Sequence, residues 1–292
     1  MQHDVLIVGG GYAGMAAALQ LLRARRTVRV LDAGLRRNRF ASRSHGFLTQ
    51  DGADAGEIAA TARRQLEAYR TLSWMETSVE RLAGEKDAFV VTHADGSRSE
   101  GRRLLLATGV ADTLPEVEGL AERWGRSVFH CPYCHGYELD EGRIGVIAAG
   151  PMSVHQAQLV SEWGETTFFL NGVAAPDAEV SADLRARGVT VETTPIARVE
   201  DEAVVRLTDG RALPFAGLFV ATRTTPPALA TTLGCETEET PLGVQLRTDG
   251  AKETSVAGAY ACGDVARSPH SVTLAVGDGA WAGMQIHRSL VF

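Results

Sequence analysis

Residues 4 to 32, DVLIVGGGYAGMAAALQLLRARRTVRVLD, admit few folds. An apolar run of strand length meets three glycines, an alanine-rich helical segment follows, and a second strand closes on a carboxylate. Gly9, Gly11 and Gly14 give G-x-G-x-x-G at the junction of strand and helix. The first glycine permits the turn, the second lets the backbone approach a diphosphate, and the third lets the helix lie close to the sheet. The diphosphate then meets the free N–H groups of the first helical residues, Tyr12 and Ala13, and the positive end of the helix dipole. Asp32 ends the second strand, where a carboxylate accepts hydrogen bonds from both ribose hydroxyls of an adenosine and repels a 2′-phosphate. These residues predict an α/β dinucleotide-binding unit but do not distinguish FAD from NAD.

At 292 residues the chain is long for one core, and two domains are expected. Its 45% hydrophobic and 22% charged residues are those of an ordinary globular protein. A formal charge of −7 gives no electrostatic reason to expect nucleic acid or an anionic membrane as a partner. The longest apolar runs, such as residues 5 to 8 and 104 to 107, have strand length and are too short to span a bilayer. Residues 53 to 69 place Ile58, Ala62, Leu66 and Tyr69 on one face and predict a core-packing helix. The opening residues lack the regions of a signal peptide, so a cytoplasmic location is expected.

Two of the four cysteines sit in HCPYCHGYE, residues 130 to 138. By residue type alone, Cys131 and Cys134 with the neighbouring histidines suit a redox disulfide, half of a zinc site, or a c-type haem attachment. The haem reading needs an exported chain, and the zinc reading needs further ligands to converge. Cys235 and Cys262 read as small core residues.

Two later segments narrow the choice. LLLATG ends in Thr108 and Gly109, and TSVAGAYACGDVA carries Gly263 and Asp264. With the glycine fingerprint these make the chain resemble the two-domain flavoprotein disulfide reductases, specifically the low-molecular-weight thioredoxin reductases, over nearly its whole length. The resemblance implies two nested Rossmann-like domains of three-layer ββα form. FAD would be bound by residues 1 to 112 and 243 to 292, and residues 113 to 242 would form an inserted NAD(P)-binding-like domain carrying a redox disulfide. Hinges are expected near Leu114-Pro115 and between Pro241 and Gly243. By the family's pattern Asp264 holds the ribityl chain of FAD, and Ser271 and Val272 open a final helix over the flavin. Val79 meets the adenine through its backbone, while Asn38 and His45 lie near the flavin ring. A homodimer is implied as well.

The same resemblance makes Cys134 the sulfur that faces the flavin and Cys131 the one that exchanges with substrate. His135 stands where ordinary thioredoxin reductases carry an aspartate. C-x-x-C-H-G is similar to the dithiol oxidases that close disulfides in gliotoxin-type natural products. A histidine accepts or returns a thiol proton near neutral pH, so it serves either direction of electron flow. No metal site is expected.

Residues 143 to 172 repeat the strand, turn, helix, strand pattern with losses. Ala148, Gly150 and Ser153 stand at the glycine positions, Pro151 lies in the turn, and Leu170, Asn171 and Gly172 replace the arginines that would clasp a 2′-phosphate. A phosphate without a guanidinium partner loses its charge-assisted bonds, so NADPH binding is doubtful. The leading expectation is FAD-dependent oxidation of a dithiol through Cys131 and Cys134, with electrons passing to oxygen or another acceptor. The first alternative is a disulfide reductase fed by NAD(P)H or a protein donor, acting on a small molecule or a thioredoxin-like protein. The second is a redox-sensing flavoprotein without turnover.

Overall fold

A computed structural model describes residues 2–292. The chain forms two compact units. One gathers the chain up to Arg39 with Phe47–Ala111 and Thr224–Phe292; the other comprises Phe40–Gly46 and Asp112–Arg223.

The first unit is built on a sheet in which Leu72–Glu76, Val28–Asp32, His3–Val8 and Arg98–Leu106 lie side by side and parallel. Ala259–Ala261 adds to Arg98–Leu106, and Phe89–His93 with Val79–Ala83 extend the edge in antiparallel fashion. The central strand HDVLIV is buried along most of its length, as a parallel strand covered on both faces must be. Val5 and Ile7 face one apolar cluster with Ala17, Leu21 and Ile286, whereas Leu6 and Val8 face another with Phe89, Leu104 and Val265. The expected helix appears as Ala55–Glu67, capped by the Asp54 side chain on the N–H of Glu57 at 2.9 Å. Such a cap contributes about 1 kcal/mol.

The other unit has five parallel strands in the order Val128–Phe129, Gly217–Val220, Ile144–Ile147, Thr166–Phe169, Thr190–Glu192. Helices Met152–Val160 and Ala178–Ala186 accompany them, with a separate antiparallel sheet of Ile196–Glu200, Val204–Leu207 and Ala212–Pro214. Both units thus have the α/β, Rossmann-like organisation expected of them.

The chain leaves the first unit after Ala111 and returns at Thr224, earlier than the expected return at 243. The physical reason lies in residues 224 to 242. Helix Ala228–Thr231 places Ala230, and the following turn places Cys235, in a buried cluster with Leu246 and Val265 of the first unit. Proline and glycine at 241 and 243 mark a turn within that unit, where Gly243 has φ +132°.

Candidate active site

In the first unit the glycine turn has the geometry that its sequence predicts. Gly9 has φ +108°, and a Cβ there would lie 2.2 Å from the carbonyl oxygen of Ala107. A Cβ on Gly14 would lie 2.0 Å from the oxygen of Gly9, so helix and turn meet backbone to backbone. At Gly11 the space is open, and helix Tyr12–Arg23 begins there without a side-chain cap. This leaves the N–H groups of the first turn without a side-chain cap, the arrangement that receives a diphosphate.

Other predicted residues border the same turn. Asp32 Oδ1 accepts from the N–H groups of Gly10 at 3.2 Å and Gly34 at 3.1 Å. The Thr108 hydroxyl is buried without a protein partner beside Gly109, whose φ is +66°. Gly263, at φ +73°, lies against Ala13, where an added Cβ would come within 2.7 Å of the alanine Cβ. Asn38 donates through Nδ2 to the Tyr12 hydroxyl at 3.2 Å. The Ser271 hydroxyl accepts from the Leu274 N–H and caps helix Val272–Val291, whose Gly279 and Gly283 lie on the backbone of the first helix. Val79 starts an outer strand and packs at the edge of a core cluster. An open glycine cradle, an uncapped helix start and an orphaned buried hydroxyl fit a dinucleotide such as FAD.

Two parts of this cradle lie outside the sequence motifs. Asp264 is paired with Arg37 at 3.2 Å, and the same guanidinium nitrogen lies 2.9 Å from Nδ1 of His270. Asp278 accepts the N–H of Gly263 at 2.8 Å while Lys252 Nζ lies 3.1 Å from the same oxygen, holding the glycine turn from behind. Arg37 adjoins Asn38 in sequence, and that adjacency is its one sequence signal. The Lys252–Asp278 pair has no sequence pattern that announces it.

In the other unit Cys131 and Cys134 form a disulfide, with Cα atoms 5.3 Å apart. Cys131 precedes the short helix Pro132–His135, and Pro132 occupies its first turn, where its missing N–H costs nothing. Gly136 follows because a Cβ there would lie 2.6 Å from the Trp163 ring. Tyr133 stands edge-on to that ring at 5.3 Å and remains 71% exposed.

His135 turns inward and stacks on Phe129, with ring centroids 4.2 Å apart and planes 19° apart. Burial, with a smaller contribution from the charge of His45, lowers its pKa to about 4. It is therefore neutral at pH 7. Because the unfolded chain binds this proton below its ordinary pKa of about 6.5 and the folded chain only near 4, stability falls as pH drops through that interval. The fall should reach about 3 kcal/mol, and His135→Gln should remove most of it in denaturant titrations at pH 7 and pH 4.

His45 belongs to the same unit as the disulfide, where its Nδ1 lies 3.1 Å from Oε1 of Glu138. Glu138 is a further residue that the sequence reading did not single out, although it follows His135 by about one helical turn. The His130 carbonyl accepts from Gln156 at 2.9 Å. Cys235 and Cys262 are buried, and burial pushes both thiols up, so neither is poised as a nucleophile.

The second glycine-like turn is closed on itself. The Ser153 hydroxyl, almost fully buried, accepts from the N–H groups of Ala149 at 2.9 Å and Gly150 at 3.2 Å. These two residues stand where Gly10 and Gly11 do in the first turn, and Pro151, at the place of Tyr12, has no N–H to offer a diphosphate. Leu170 is buried, and Asn171, at φ +46°, accepts through Oδ1 from the N–H of Ile196.

Two α/β units, one with a glycine cradle and one with a redox-competent cysteine pair, define a flavin-type disulfide oxidoreductase. A model of the pyridine nucleotide-disulphide oxidoreductase family matches residues 3–279, and the chain belongs to that family. It is 32% identical to thioredoxin reductase aclD of Aspergillus oryzae, over 99% of this chain and 96% of the relative. It is also 32% identical to thioredoxin reductase sirT of Leptosphaeria maculans, over 97% and 93% respectively. The crystal structure of an oxidoreductase from Agrobacterium tumefaciens superposes with a TM-score of 0.97 at 55% identity, covering 100% of this chain and 99% of that one. The chain is thus a thioredoxin reductase-like thiol–disulfide oxidoreductase, and membership in the family implies FAD.

Proposed function

We propose that the protein oxidises a dithiol through the Cys131–Cys134 disulfide. The observation that carries this reading is the second turn, where Pro151 offers no N–H and the Ser153 hydroxyl ties down the amides of Ala149 and Gly150, so that a nicotinamide dinucleotide lacks the donors of the first cradle. With that entrance closed, the cysteine pair is the remaining route by which electrons enter.

FAD would be held by Gly9, Gly11, Tyr12, Ala13, Gly14 and Asp32 on the adenosine diphosphate side, with Val79 at the adenine. Thr108, Gly109, Gly263, Asp264, Ser271 and Val272 would hold its other half, with Asn38 near the flavin ring. When bound, FAD supplies a two-electron acceptor that returns its electrons to oxygen or another acceptor. The chain's own residues perform the exchange. A substrate thiolate attacks Cys131, the bond to Cys134 breaks, and Cys134 carries the electron pair as a thiolate. His135, next to Cys134 in the chain, takes the thiol proton as the Cys134 thiolate forms, because a neighbouring negative charge favours the protonated ring. Tyr133, exposed between the two cysteines in the chain, is available to touch whatever carries the dithiol. Its partner is a small dithiol or a thioredoxin-like protein, and a homodimer acting in the cytoplasm suits the reading.

The experiment is anaerobic mixing of the flavoprotein with reductants. Dithiothreitol should bleach the flavin band, whereas NADPH and NADH should leave it oxidised over the turnover time. Reduction by NADPH would favour the disulfide reductase instead.

A further inference from the structure

We propose that Lys252 and Asp278 are positioning residues for FAD: as a buried pair they clamp both ends of the turn Gly263–Ala266 and so fix the place of Asp264 in the cradle. The proposal rests on the assignment of Asp264 to FAD, but not on the direction of electron flow.

Each end of the turn is held by one member of the pair. At its start the Gly263 N–H donates to Asp278 Oδ2 at 2.8 Å. At its close the Ala266 carbonyl accepts from Lys252 Nζ at 3.0 Å. The same Nζ lies 3.1 Å from Asp278 Oδ2, so one ammonium and one carboxylate oxygen join the two ends. Lys252 is also tied to this segment through its backbone, because its carbonyl accepts from the N–H of Ala261 at 3.0 Å, in the strand that leads into the turn. Asp278 is anchored in turn by the final helix, where a Cβ on the adjacent Gly279 would lie 2.1 Å from the carbonyl oxygen of Ala13. Gly263 approaches that same alanine, so the clamp, the turn and the start of the first helix form one block.

Stability alone is a poor reason for such a pair. The Lys252 and Asp278 side chains are 11% and 12% accessible, and Lys252 holds left-handed backbone at φ +66°. Charges taken out of water in this way seldom stabilise a fold more than apolar side chains of the same volume, and left-handed backbone is unfavourable for a residue with a Cβ. What the pair supplies is direction, through charge-assisted bonds to two fixed points of the backbone. Within the turn Gly263, Val265 and Ala266 are buried, and Asp264 carries its one side chain able to accept a hydrogen bond. Arg37, at 3.2 Å, restrains the Asp264 carboxylate but does not hold the backbone that bears it. Without the clamp the turn would have to be ordered as FAD binds, and that ordering is subtracted from affinity.

The test is equilibrium dialysis of the full-length chain against graded FAD, for the wild type, Lys252→Met, Asp278→Ala, Asp264→Ala and the double variant Asp264→Ala/Asp278→Ala, after circular dichroism shows each folded. The FAD dissociation constant should rise about tenfold in Lys252→Met and in Asp278→Ala, the loss expected of a hydrogen bond to a charged group. It should rise in Asp264→Ala as well. Because the clamp acts through Asp264, adding Asp278→Ala to Asp264→Ala should weaken binding by less than about a further twofold, whereas residues that only support the fold give additive losses. Wild-type affinity in both Lys252→Met and Asp278→Ala, or additive losses in the double variant, would overturn the clamp. Should a single variant fail to fold because the remaining charge is left unpaired, Lys252→Met/Asp278→Asn, which removes both charges, takes its place under the same criteria. Wild-type affinity in Asp264→Ala would refute the assignment of Asp264 and, with it, the route of the clamp. No dithiol is present, so the result is independent of the chemistry proposed for the cysteine pair.

Discussion

Cys134→Ser is expected to abolish dithiol-driven flavin reduction, with a loss of at least about a thousandfold in turnover. Bond balance is the reason. The substrate thiolate can displace a sulfur only from an existing disulfide, and serine at 134 leaves Cys131 as a lone thiol with no bond to break. No other cysteine can replace it, because Cys235 and Cys262 are buried and their thiols are pushed up by desolvation. Flavin content should stay at the wild-type level, since the disulfide lies in one compact unit and the glycine cradle in the other. Steady-state oxygen uptake with dithiothreitol, alongside the flavin absorbance of the purified variant, checks both halves. A redox-sensing protein without turnover would show no uptake in the wild type either.

Gly9→Ala is expected to yield protein without flavin and with reduced stability. The backbone at φ +108° costs an L-residue about 2 kcal/mol before any contact is counted. The new methyl would also lie 2.2 Å from the Ala107 carbonyl, a clash that only movement of the turn or of the Arg98–Leu106 strand end relieves. Either movement displaces the open amides at the helix start or the Thr108–Gly109 edge facing them. Gly11→Ala, by contrast, meets no protein atom within 4 Å and should fold normally. The measurement is the ratio of flavin to protein absorbance together with the thermal midpoint of each variant.

The first cradle was legible in the sequence because its constraints are local. A glycine required by a positive φ, a helix start and a strand-end carboxylate all fall within residues 4 to 32, and the structure assembles them as spaced. Thr108, Gly263 and Ser271 are distant in sequence and were legible only through the resemblance to the thioredoxin reductases. The arrangement around the disulfide was less legible. Nothing in RNRFASRSHGF says that His45 meets Glu138, because the two are joined by packing and not by periodicity. Likewise the loss of glycine at 148 was visible, but the reach of the Ser153 hydroxyl back to two amides was not. A serine at a glycine position ordinarily reads as a mild steric defect, whereas here its oxygen accepts from two amides of the turn. The return to the first unit at Thr224 was hidden by the stronger proline and glycine punctuation at 241 and 243.

The central claim is that electrons enter through the cysteine pair and not through a nicotinamide. An anaerobic titration of the wild-type flavoprotein with dithiothreitol, NADPH and NADH in turn, followed at the flavin band, tests it most directly. The account predicts full bleaching by the dithiol and an unchanged oxidised spectrum with either nucleotide. Full bleaching by NADPH with none by the dithiol would contradict it.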